Sequence, residues 1–141
     1  MKNNTIFALL ALTMLCAAPV MSWSHLPADP LFGDADKFAG SWTGVLTCFD
    51  QSYITVGVTK NSRNSIIVPA TIGFGVCQRQ TGVVVNVYLN QIRTLTTTVI
   101  DNCGNAFSLT IAGYVAENSI VIYYTENGYN GTIKCSFAGT R

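Results

Sequence analysis

Few residues in this chain are equipped for chemistry. His25 is the only histidine, and it lies in a stretch, HLPADPLFGDADKF, that holds two prolines, three aspartates and no periodic pattern. A Ser-His-Asp triad or a His-ligated metal needs its imidazole held beside partners on a rigid frame, so His25 reads as a solvated terminal residue. As the first residue of a processed chain, its amine and ring would together offer copper two nitrogens. The acids that follow, Asp50, Asp101, Glu117 and Glu126, each fall in a predicted turn, where carboxylates are ordinarily solvated. Glycoside hydrolysis would need two of them to converge across a cleft. Asp50 and Asp101 are the pair that one rim would hold, and nothing in their spacing requires it. The chain has no G-x-S-x-G elbow, P-loop or G-x-G-x-x-G turn. The expectation is a protein that is not an enzyme and that uses no cofactor and no metal.

Cysteine is the remaining reactive type. Cys16 falls in an apolar N-terminal run, which leaves Cys48, Cys77, Cys103 and Cys135, an even set. No neighbouring pair has the short gap of a zinc knuckle, so the four read as two disulfides of an exported chain.

The elements that position these residues belong to a single domain: the chain has 141 residues. Charged residues make up 11% and hydrophobic ones 49%, which excludes a disordered tail. Lys and Arg number eight against seven acids, and removal of a leader that holds Lys2 would leave the two signs equal. Steering toward nucleic acid or anionic lipid is therefore not expected. Surface polarity comes instead from Thr, Asn and Gly, which suit strands and turns.

Lys2, the apolar run Ile6 to Leu15 and the small residues Ala17, Ala18, Ser22 and Ser24 form the pattern of a secretory signal over residues 1–24, with cleavage near 22–24. The expected location is secreted or periplasmic, with no integral membrane segment after cleavage, because Pro19 interrupts a run already short of a span. Lipid anchoring at Cys16 fits less well, since Leu15 stands where bacterial lipoprotein signals place Gly, Ala or Ser. Residues 25–37 read as an extended arm and 38–141 as the folded domain. Asn130-Gly-Thr132 matches a glycosylation sequon.

That domain reads as all-β. Nine alternating segments are predicted as strands: Gly40 to Cys48, Tyr53 to Lys60, Ser65 to Ile72, Val76 to Gln80, Val83 to Asn90, Arg93 to Ile100, Ala106 to Val115, Ile120 to Glu126 and Thr132 to Thr140. Turn residues separate them, among them Asn61-Ser-Arg-Asn64, the hairpin-like Gly73-Phe-Gly75, Asp101 to Asn105, Glu117-Asn118 and Glu126-Asn-Gly128 with Asn130-Gly131. Short links imply an antiparallel up-and-down meander, as a closed or nearly closed eight- to nine-stranded barrel. A β-sandwich is the alternative, because Pro69 within a strand marks an edge or bulge.

Alternation sets Trp42, Leu46 and Cys48 on one side of the first strand and Ile133, Cys135 and Phe137 on one side of the last. If these strands pair with Cys48 opposite Cys135, the same register places Leu46 opposite Phe137, Gly44 opposite Gly139 and Trp42 opposite Arg141. Every pair then joins two inward positions, so Cys48 is expected to bridge to Cys135 and Cys77 to Cys103. A Cys48→Ala chain should release Cys135 as a titratable thiol and lose roughly 2–5 kcal/mol. Thr94, Thr96 and Thr98 share a face that reads as ordinary solvated strand. Tyr123 and Tyr124 fall on opposite faces.

The segment Phe38-Ala-Gly-Ser-Trp-Thr-Gly-Val-Leu-Thr-Cys48 opens a first strand with Gly-x-Trp and resembles the start of calycins, the lipocalin and avidin-like barrels. Phe107 to Tyr124, followed by Thr132-Ile-Lys-Cys-Ser-Phe137, resembles the small calycin-like modules of bacterial secreted proteins and lipoproteins. The resemblance spans Phe38 to Arg141 and carries no catalytic residues. It implies a binding module for a small apolar ligand inside the barrel, although the later tryptophans of an avidin biotin site are missing. The interior candidates are Trp42, Leu46, Ile54, Val56, Leu109, Ile111 and Phe137. The alternative is a protein partner: periplasmic metalloprotease inhibitors join such a barrel to an N-terminal trunk, and here the arm His25 to Phe38 would be presented to a protease.

Overall fold

The computed structural model describes residues 34–94, 96–129 and 131–141. The predicted leader with Cys16, the arm from His25 to Gly33 and the sequon residue Asn130 lie outside the described residues.

Nine strands follow one another: β1 (Gly40–Thr47), β2 (Gln51–Ser62), β3 (Ser65–Ile72), β4 (Arg79–Tyr88), β5 (Gln91–Arg93), β6 (Thr97–Ile100), β7 (Ala106–Ala116), β8 (Ser119–Gly128) and β9 (Gly131–Thr140). All pairings are antiparallel, in the order β5-β4-β3-β2-β1-β9-β8-β7, and β5 also pairs with β7. Eight strands thus close into a barrel, with β6 as an extra strand on β7. The β5–β7 pairing joins the two ends of the meander, which a sandwich would leave apart.

The β1–β9 register is the expected one. Gly44 faces Gly139 and Leu46 faces Phe137, and Cys48 is bonded to Cys135 just beyond the last paired residues. Past the other end of the pairing, the Arg141 guanidinium lies 4.5 Å from the centroid of the Trp42 ring, a cation–π contact. Cys77 is bonded to Cys103.

The inward face of each strand builds one core. Trp42, Phe38, Ile66, Val85, Ile111, Ile120, Ile122 and Phe137 are buried and fill the half of the barrel where β1 begins. Trp42 Nε1 donates to the Phe38 carbonyl at 2.7 Å, so the largest core side chain carries no unpaired donor.

Five local expectations need correction. The segment Val76 to Gln80 is not a strand: Gly75–Cys77 form a 3-10 turn, and β4 starts at Arg79 and runs unbroken through Gly82. Its ladder with β3 is continuous from Ser65–Asn86 to Ile72–Arg79, whereas Val76 has no strand opposite it and is 96% exposed. The Gly73-Phe-Gly75 reversal is wider than a tight hairpin and spans 73–78, although both glycines take positive φ. Arg93 to Ile100 is split into β5 and β6: Arg93 pairs with Ala112 and Thr97 with Leu109 of β7, so the register shifts between the two strands. Thr94 keeps the inward parity of Ile92 and is buried, whereas Thr96 and Thr98 are exposed, so the three do not share a solvated face.

The last correction concerns the arm. Its final residues are not extended, since Ala35–Lys37 form a 3-10 turn capped by Asp34 Oδ1. Ala35 is buried and its N–H donates to the Arg63 carbonyl, which binds the turn to the β2–β3 end of the barrel.

Candidate functional site

The barrel wall is complete at the end where β1 begins and parts toward the other. β2 pairs with β3 only at Thr59, Lys60 and Ser62. Continued in register, Thr55 would meet Thr71, but no pairs form there. Pro69 lies in this unpaired stretch of β3, an edge position where its missing N–H is tolerated. On the far side, β4 bonds to β5 only from Asn86 to Tyr88, and β6 pairs with β7 alone. The outer halves of β3 and β4 therefore make a two-stranded flap joined to the barrel through its base.

The flap tip is fastened again. Besides the Cys77–Cys103 disulfide, Asn102 N–H donates to the Cys77 carbonyl, the Asn102 side chain to the Gln78 carbonyl, and Arg79 Nη1 to the Ile100 carbonyl. Cys48–Cys135 ties β1 to β9 at the same end. Both disulfides thus border the opening.

Between flap and barrel lies a cavity of about 490 Å³. Leu46, Ile54, Ala70, Leu109 and Ile133 form its apolar wall, Phe49, Phe74 and Tyr124 bring aromatic rings to it, and Glu126 and Gln80 are among its polar members. A smaller cleft lies beyond the flap, between Arg79 and Thr81 on one side and Thr98 to Ile100 on the other.

The seven interior candidates are divided by this geometry. Leu46, Ile54 and Leu109 line the cavity. Trp42, Val56, Ile111 and Phe137 are buried in the filled core and do not line it.

Glu126 departs most from the sequence reading. It belongs to β8 rather than a turn, on the face shared by Ile120, Ile122 and Tyr124, and it is 8% exposed. Desolvation pushes its pKa upward, the Gly73 N–H bond to Oε1 works the other way, and the nearby Asp101 charge adds to the rise. Burial also pushes the Tyr124 hydroxyl up to about 12, so the phenol stays neutral.

Asp101 is buried in the loop after β6, again unlike a solvated turn acid. Burial raises its pKa, but the Asn105 side chain and the N–H groups of Asn105, Cys103 and Gly104 outweigh that and hold it below the ordinary value. Oδ1 accepts from Cys103 N–H at 2.9 Å and Asn105 N–H at 2.8 Å, and Oδ2 from Asn105 Nδ2 at 2.8 Å. Its carboxylate is committed to closing the loop. Asp50 is exposed in the β1–β2 turn at the open end, and Glu117 is exposed in the β7–β8 turn at the filled end. The carboxylates that come together are thus Asp101 and Glu126, on either side of Gly73.

The turn signal Glu126-Asn-Gly128 draws Glu126 out of the strand face in the sequence reading, but the alternation Ile120, Ile122, Tyr124, Glu126 holds the correct signal. Phe49 and Phe74 had no comparable signal, since both lie outside the strands. Among the described residues there is no cluster of three or more His, Cys, Asp and Glu placed to hold a metal, and no helix is long and apolar enough to cross a membrane.

Comparison with known proteins supports the fold. No family model matches the chain, and no curated protein does. A solved structure from Bacteroides fragilis NCTC 9343, provisionally described as an outer membrane protein, superposes with a TM-score of 0.55 at 13% identity. The match covers 76% of this chain and 52% of the neighbour, so the chain spans about half the neighbour's length. The two disulfides are compatible with an extracytoplasmic location.

Proposed function

We propose that this protein is an exported, calycin-like binding module that carries one small, largely apolar molecule in the cavity between the β3–β4 flap and the barrel, without catalysing a reaction. The cavity itself carries this reading. At about 490 Å³ it falls in the range of small-molecule sites, and its wall is mostly apolar with a few polar groups. The filled half of the barrel supplies the rigidity that holds such a site open. Secretion or release to the periplasm agrees with the signal-like N-terminus, and the neighbour's description suits a chain that works outside the cytoplasm.

The reading can be tested with a neutral fluorescent probe such as N-phenylnaphthylamine. Emission should rise with the wild-type protein and fail to rise with Ala70→Trp, which fills the cavity from β3, while the far-UV circular dichroism of the two proteins stays the same. Equal enhancement by two folded proteins would place the probe elsewhere and sink the proposal. The arm joins the domain through Ala35 at the end opposite the cavity. Deleting residues 25–33 should therefore leave probe binding intact, whereas a protease inhibitor working through its arm would lose its inhibition.

A further inference from the structure

The charges around the cavity narrow the class of ligand, an inference that rests on the binding reading above. Among the described residues, Glu126 is the one ionisable carboxylate in the cavity lining, and no Lys, Arg or His stands beside it there. Three basic side chains of the flanking strands are turned away from it. Arg79 lies between Gln78 and Gln80, which line the cavity, and sends Nη1 to the Ile100 carbonyl on the far side of the flap. Lys134 alternates with the lining residues Ile133 and Cys135 and is exposed on the outer face of β9. Lys60 pairs with Asp36 near the opposite end of the barrel. Asp101, beside Glu126 across Gly73, and Asp50, next to Phe49 on the rim, add negative charge only.

The same lining holds three aromatic rings, Phe49, Phe74 and Tyr124. A ring face attracts a cation and repels an anion, and the attraction grows when water is excluded. A carboxylate ligand would meet Glu126 and π-faces, with Asp101 behind Gly73 and nothing in the lining to compensate its charge, and a desolvated like-charge contact is strongly unfavourable. An ammonium ligand would meet complementary groups at every one of these points.

We infer that the cavity selects an organic cation, an amine or quaternary ammonium compound whose charged head meets Glu126 and the aromatic rings while its apolar body lies along Leu46, Ile54 and Leu109. The head replaces the solvent that a buried carboxylate lacks, so binding favours the ionised form of Glu126. Specificity then arises as much from rejection of fatty-acid-like anions as from attraction.

The test uses three ligands of one chain length, octylammonium, octanol and octanoate, each displacing N-phenylnaphthylamine from the full-length protein. Octylammonium should displace at a concentration at least tenfold below octanol, and octanoate should be the weakest of the three. Glu126→Gln should bring the ammonium-to-alcohol ratio close to one. Phe74→Ala, on an exposed loop where folding is not at stake, should lower that ratio as well. Octanoate binding as well as or better than octylammonium, or an unchanged ratio in both variants, would overturn the selection of a cation while leaving the cavity a binding site. Probe displacement by none of the three would overturn the inference together with the proposed function.

Discussion

The backbone N–H of Gly73 donates to Glu126 Oε1 across 3.4 Å, and this long hydrogen bond joins the flap tip to the inner face of β8. Gly73 occupies φ +85°, and a Cβ there would stand 2.9 Å from Asp101 Cβ. The bond, the glycine and the second carboxylate therefore form one unit: flap position and the charge of Glu126 are linked.

That link predicts a pH dependence with a definite sign. Glu126 has a folded-state pKa raised above its ordinary 4.5, so between the two values the folded state binds more protons than the unfolded one, and stability falls as pH rises through this window. The contribution is fully present below the ordinary value and lost above the raised one. Asp101 works oppositely: its lowered pKa adds stability above about its ordinary 3.8 that is lost as pH falls. Thermal midpoints across mildly acidic pH should decline with rising pH in the wild type more steeply than in Glu126→Gln. Identical slopes would show that Glu126 titrates normally.

Removing the second disulfide should loosen the flap and leave the barrel folded. In Cys77→Ala/Cys103→Ala, amide exchange should accelerate over Val68 to Val85, where neither β2 nor β6 backs the flap, and change little at Val87, whose N–H bonds to the Asn64 carbonyl at the base. Acceleration spread evenly over all nine strands would mean that the flap is no separate unit.

Gly44 marks the tightest approach in the β1–β9 seam. A Cβ there would run into the Ala138 carbonyl oxygen and Gly139 Cα, both of them backbone. Gly44→Ala should separate the strands and destabilise the protein by about 3 kcal/mol or more, in the severe tail of single substitutions. A chemical-denaturation midpoint close to that of the wild type would show that the seam has room to yield.

The two halves of the barrel should differ in their response to truncation. Ile111→Ala deletes a fully buried core side chain and should cost ~2–5 kcal/mol. Leu46→Ala removes a partly buried side chain from the wall of an existing cavity, and should cost about 1–2 kcal/mol, below that range. Paired denaturation curves decide between this gradient and a uniformly packed interior.

Most of the architecture was legible in the sequence for a simple reason. The side-chain period of a strand is two, so setting Cys48 opposite Cys135 also matches the inward residues of the first and last strands, and both the register and the bridge are the ones found. Residues that leave this period were not legible. The register shift between β5 and β6 depends on how many residues of β7 lie opposite, which is a property of the pairing rather than of the segment. The flap escaped notice because Pro69 shows that an edge exists without showing which neighbour is missing. Glu126 was obscured by the asparagine and glycine after it, although its parity matched that of Ile122.

The seam between β1 and β9 also governs the order in which the molecule can be made. It joins the first strand to the last, and its disulfide spans a sequence separation of 87. Hairpins can form as the chain emerges, but the ring cannot shut until the final strand arrives, and contacts this distant in sequence slow folding. Until then β1 and β8 each expose an unpaired edge open to pairing with other chains. Delivery of β9, rather than any local step, is what ends that vulnerable interval.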